Sequence, residues 1–158
     1  MRKTISIVAA LFVLLALAMP AAAKTDRIPF SAEDTFIAQT DPGRQWVSDD
    51  GILHVRGSVS TYTSTSDSVY YGGAAVIVVN YNLDLATGNG QLWGTSHSTI
   101  GDGGFDGTWV GKFKAFVWEG KGQSKGFGDM AGYQQRFTLK WAPFGDTAEG
   151  YTFLPGNK

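Results

Sequence analysis

From Phe30 onwards, apolar and polar residues alternate along the chain with a period of two, and clusters of turn residues interrupt the alternation. That period puts successive side chains on opposite faces of a strand. The clearest case runs from Phe105 to Val117. Phe105, Gly107, Trp109, Gly111, Phe113, Ala115 and Val117 share one face, and Asp106, Thr108, Val110, Lys112 and Lys114 start the other. Large and small residues taking turns on an inward face suit the taper of a small barrel. Tyr133, Gln135, Phe137, Leu139 and Trp141 alternate in the same way with Gln134, Arg136, Thr138 and Lys140. Along Ile52–Tyr62, Leu53, Val55, Gly57 and Val59 form one face, with His54 and Arg56 on the more polar side.

The remaining elements follow from the turn signals. Phe30–Gln39 reads as a first strand interrupted by the acidic pair Glu33-Asp34, and Asp41-Pro42-Gly43 ends it. Asp49-Asp50-Gly51 is a hairpin connection between Gln45–Ser48 and Ile52–Tyr62. Thr63–Ser68 reads as a polar loop, and Val69–Leu85 as a long strand that is apolar on both faces near Val76 and Val78. Such a strand is covered twice or marks a subunit contact. Ala86–Gly90 turns the chain into Gln91–Thr99, and Gly101–Gly104 turns it again. Glu119–Lys125 reads as a crossover or short strand, Gly126–Gly132 as a bulged turn and Ala142–Glu149 as a loop. Tyr151–Leu154 then closes the sheet. The expected fold is all-β, a single antiparallel β-barrel of six to eight strands, with no helix after the leader. A two-sheet sandwich is the nearest competing architecture.

The N-terminus departs from this pattern. A basic start (Met1–Thr4), an apolar run of 15 residues (Ile5–Met19), Pro20 and Ala21–Ala23 are the parts of a secretory signal peptide. The run is shorter than the roughly 20 residues of a spanning helix. Residues 1–23 are therefore expected to be a cleaved signal, and 24–158 a single barrel domain that is secreted or periplasmic. Loss of Arg2 and Lys3 leaves 11 cations against 14 acids, a net charge of −3. With no basic run, the mature chain is not expected to bind nucleic acid or to insert stably in a membrane. The chain has no cysteine, so packing and sheet closure alone must hold it. All 21 glycines follow the leader, among β-branched and aromatic residues, as corners and bulges require.

Catalytic and metal signatures are missing. Two histidines, His54 and His97, are too few for a zinc site without carboxylates. The Asp-Gly pairs of Gly101–Gly107 lack the ligand spacing of an EF-hand, and G-x-x-x-x-G-K-[ST] and G-x-S-x-G do not occur. No catalytic residue, metal or cofactor is assigned. His97 faces inward if Trp93 does, and lies on the surface if Leu92, Gly94 and Ser96 face inward. Glu119 is either a buried carboxylate or an exposed strand-end residue. The candidate ligand-binding set is Tyr81, Trp93, His97, Trp109, Glu119 and Tyr133, whose aromatic members either line a cavity or fill a core.

The run G-x-F-x-G-x-W-x-G (Gly103–Gly111), the glycines from Gly120 to Gly128, Gly132-Tyr133 and the segment Val79–Asp84 through Trp93-Gly94 carry a resemblance. The chain resembles uncharacterised secreted bacterial β-barrel proteins and, more loosely, the allene oxide cyclase and dirigent barrels, over about Val69–Tyr151. The resemblance implies an eight-stranded antiparallel barrel of allene oxide cyclase-like or calycin-like type, often homo-oligomeric, with a hydrophobic cavity. It implies no activity, and no catalytic residue is carried over. Two functions follow as expectations. One is a non-enzymatic barrel holding a small apolar ligand or a protein partner. The other is a cyclase or isomerase similar to allene oxide cyclase, with His97 or Glu119 as its polar group. A filled core would leave a structural role.

Overall fold

A computed structural model describes residues 26–142 and 145–155. The proposed signal, its cleavage site and Lys24 lie outside the described residues. Among the described residues, nine strands form one antiparallel sheet: β1 (Arg27–Asp41), β2 (Arg44–Val47), β3 (Ile52–Ser66), β4 (Gly73–Asp84), β5 (Gly90–Ile100), β6 (Gly103–Lys114), β7 (Val117–Phe127), β8 (Gln134–Ala142) and β9 (Gly145–Phe153). From β3 to β9 each strand pairs with the next. β9 pairs with β1, and β1 pairs with β3, so eight strands close into a barrel. β2 stands outside the ring on the first half of β3, where Trp46 faces His54. A turn at Pro42-Gly43 parts it from β1, so the two run in succession along β3. Closure leaves the barrel strands without free edges.

The inward faces carry the core. Phe30 and Ala32 (β1), Leu92 (β5), Trp109 (β6), Phe137 and Leu139 (β8) and Ala148 (β9) form one buried cluster. Glycine makes room for its large members. A Cβ at Gly94 would come within 2.7 Å of the Trp109 ring, and one at Gly122 within 2.5 Å of Phe137. The alternation of bulky and bare positions along β5, β6 and β7 is therefore a packing device. One region is closed by polar contacts instead. Ser124 donates to Gln135 Oε1 at 2.7 Å, and Gln135 Nε2 donates to the Tyr70 carbonyl at 2.6 Å.

Several expectations from the pattern are corrected. Thr63–Ser66 continues β3 because its backbone pairs with both β1 and β4, and the loop falls at Asp67–Gly72 instead. Val117–Phe127 is a full strand, and Gly145–Glu149 belongs to β9. Polar composition hid all three, since ladder hydrogen bonds do not depend on side-chain polarity. The faces of β3 also change. A bulge between Val55 and Ser58, with Gly57 at φ +70°, shifts the register by one residue. Beyond it Ser58 and Ser60 are buried, whereas the uninterrupted pattern put Val59 inside. The only helical turn among the described residues is a short 3₁₀ segment, Gly128–Met130.

Candidate functional site

The barrel interior is not solid. A cavity of about 340 Å³ lies within it, walled largely by Ile77, Val79, Tyr81, Leu83, Leu92, Phe105, Trp109, Phe113, Trp118, Phe137 and Leu139. Cavities that hold small molecules have this volume and this mainly apolar, aromatic wall. Two lining residues are exposed, Phe116 (56 %) and Trp141 (46 %), and they stand where the cavity meets solvent.

One part of the wall is acidic. Asp34 on β1 and Asp146 on β9 are direct cross-strand partners with both side chains in the cavity lining. Opposite residues on one sheet face have Cβ atoms about 5 Å apart. Tyr62 and Ser64 from β3 and Tyr71 from the β3–β4 loop complete this end. Tyr71 stacks on Phe30 with ring centroids 4.4 Å apart, and its hydroxyl donates to Asp34 Oδ2 at 3.1 Å. Among the described residues, no lysine, arginine or histidine lines the cavity.

Burial without a cation shifts every acid here in one direction. Desolvation raises the Asp34 carboxyl, although hydrogen bonds from Ser64 and Tyr71 oppose it. Desolvation and then the Asp34 charge push Asp146 up to about 7. Burial, followed by the charges of Asp146 and Asp34, pushes Tyr62 up to about 12, and Tyr71 well above its ordinary value in the same manner. Both tyrosines therefore stay neutral donors, and the carboxylates hold a proton more readily than exposed acids do.

The residues singled out from the sequence separate into two groups. Tyr81 and Trp109 line the cavity. Trp93, His97, Glu119 and Tyr133 do not. Trp93 lies under the Arg56 guanidinium at 4.8 Å on the outer wall. His97 is exposed, paired through Nδ1 with Asp106 Oδ1 at 2.7 Å and stacked on Phe127. Glu119 is exposed between Lys112 and Lys140 on the neighbouring strands. Tyr133 stacks on Tyr70 near the β7–β8 turn. Asp34 and Asp146 were missed as a pair. Asp34 shares the parity of Phe30 and Ala32, which put it on the apolar face, but Asp146 fell in a segment read as a loop.

The mouth carries a conformational cost. Ala115 and Phe116 form the β6–β7 turn at φ +50° and +66°, a region that favours Asn and Gly. Each costs of order 1 kcal/mol there. Replacing the two together, Ala115→Asn with Phe116→Gly, is expected to stabilise the protein by roughly 1 kcal/mol in urea denaturation. An unchanged or lower midpoint would mean that the packing of the Phe116 ring over Gly88 outweighs the strain.

The sequence matches no protein-family model and no curated protein.

Proposed function

We propose that this protein is a secreted or periplasmic, non-enzymatic barrel that holds a small apolar molecule in its interior. The observation that carries this reading is the 340 Å³ cavity, largely apolar, with an acidic end and an exposed aromatic mouth. Interior glycines support it, because they allow Trp109 and Phe137 to pack against the wall rather than across the lumen. The fold is compatible with the likeness to secreted bacterial barrels and to allene oxide cyclase and dirigent barrels, and that kinship is part of the proposal. Outward Val76 and the neighbouring Val78 would serve a homo-oligomer contact.

A second reading is a cyclase or isomerase similar to the allene oxide cyclase class. A pair of protonatable carboxylates inside an apolar cavity favours it, since shaping a flexible substrate needs only one or two polar groups. His97 and Glu119 lie outside the cavity, so this reading passes to Asp34 and Asp146.

Native mass spectrometry of protein purified from its source tests the leading reading. The expected spectrum shows a chain lacking Met1–Ala23 with a retained small molecule. Intrinsic tryptophan fluorescence is expected to shift on titration with apolar ligands, because Trp109, Trp118 and Trp141 line the cavity. Ligand-free protein whose fluorescence no lipid or terpenoid moves would defeat the binding function. Retained Met1 would defeat the secretion reading alone.

A further inference from the structure

The acidic end of the cavity specifies more than an apolar occupant. Asp34 is 94 % buried, since only 6 % of its surface remains exposed, and Asp146 stands directly across the β1–β9 pairing from it. Hydrogen bonds to Asp34 come from the neutral hydroxyls of Tyr71 and Ser64, and no lysine, arginine or histidine is among the described residues that line the cavity. Buried carboxylates are ordinarily paired with a cation, and removing one member of a buried ion pair leaves a costly uncompensated charge. Asp34 and Asp146 resemble the half that remains.

We propose that the cavity takes a cationic amphiphile, an apolar molecule whose protonated amine sits between Asp34 and Asp146. This rests on the reading of the barrel as a binding protein and names its ligand class. An ammonium group brings three donors and a charge, and the two facing carboxylates supply acceptors. Tyr62 and Tyr71 place aromatic rings at the same end, and a cation is attracted to their faces. The ligand's body would lie along the apolar wall formed by Val79, Tyr81, Phe113 and Trp118. A bare divalent ion fits poorly. Calcium takes six to eight oxygen ligands, whereas this end offers two carboxylates and three hydroxyls inside an otherwise apolar wall.

The test compares octylamine, octan-1-ol and octanoate at about pH 8, above the value of about 7 to which Asp146 is pushed, using tryptophan fluorescence and calorimetry on the mature protein. Octylamine is expected to bind about ten-fold or more tighter than octan-1-ol, the scale of charge-assisted hydrogen bonds, with octanoate the weakest. In the double variant Asp34→Asn with Asp146→Asn, octylamine should lose that advantage while octan-1-ol binding is kept. Those substitutions keep size and shape, and retained octan-1-ol binding reports an intact cavity. Equal binding of octylamine and octan-1-ol to the wild type would overturn the amine inference and leave the binding function standing. So would an amine preference that survives in the variant. If neither octylamine nor octan-1-ol binds, the binding function falls and the ligand class with it.

Discussion

Asp146→Asn is expected to stabilise the protein at about pH 8, by of order 1 to 3 kcal/mol after allowance for the partial solvation of the site. Most single substitutions destabilise, so the sign is diagnostic. Asp146 faces Asp34 across the β1–β9 pairing, and burial, then that charge, push its carboxyl up to about 7. Among the described residues that line the cavity with it, none is a lysine, arginine or histidine. The folded state therefore binds the proton more tightly than the unfolded chain does. This group's contribution is most favourable below the unfolded value of 3.8. It declines as pH rises towards about 7 and is fully unfavourable above that. An amide cannot ionise, and it can donate to the Asp34 carboxylate. Thermal melts of wild type and variant should converge near pH 4 and separate by several degrees near pH 8. A variant less stable than wild type at pH 8, or a gap independent of pH, would show that Asp146 is solvated or paired.

Trp109→Ala is expected to cost about 3 to 5 kcal/mol, the range for removing a buried aromatic. Trp109 packs with Leu92, Phe137 and Trp118, and its ring lies over Gly94, its cross-strand partner. Removing the indole exposes that bare backbone and enlarges a cavity that is already present, with no neighbour able to fill the space. Trp109→Phe separates ring packing from the polar atom. It loses some volume and also removes the unpartnered Nε1, whose burial costs about 1 to 3 kcal/mol. The two effects oppose each other, and the net change should lie within about 1 kcal/mol. Urea denaturation of both variants decides the point. If Phe proves as damaging as Ala, the indole N–H is bonded. If Ala is tolerated, Trp109 is not a core residue.

Trp109 was legible in the sequence as an inward residue, since Phe105, Gly107, Trp109, Gly111 and Phe113 alternate without interruption. The same parity rule puts Asp34 beside Phe30 and Ala32, so its inward placement was available. Its meaning was not, because a lone acid in an apolar strand has no partner until another strand is set against it.

The sequence by itself determined the class of fold: period-two alternation, punctuated by Asp-Gly and Gly-Asn turns, leaves antiparallel sheet as the arrangement that buries one face. It also determined which side of β6 and β8 is apolar, because nothing interrupts their pleat. Where a bulge intervenes, as at Gly57 in β3, local pattern fails, since one extra residue exchanges inside and outside for everything beyond it. For His97 the sequence left two parities open, and the pairing of β5 with β4 and β6, which turns Leu92 and Gly94 inward, decided between them. Only the tertiary structure decided that the barrel keeps a cavity, because that depends on how rings from six strands share one volume. Only closure could join Asp34 to Asp146. The contact is made by the last strand against the first, and residues so far apart in sequence leave no local periodic signal of meeting.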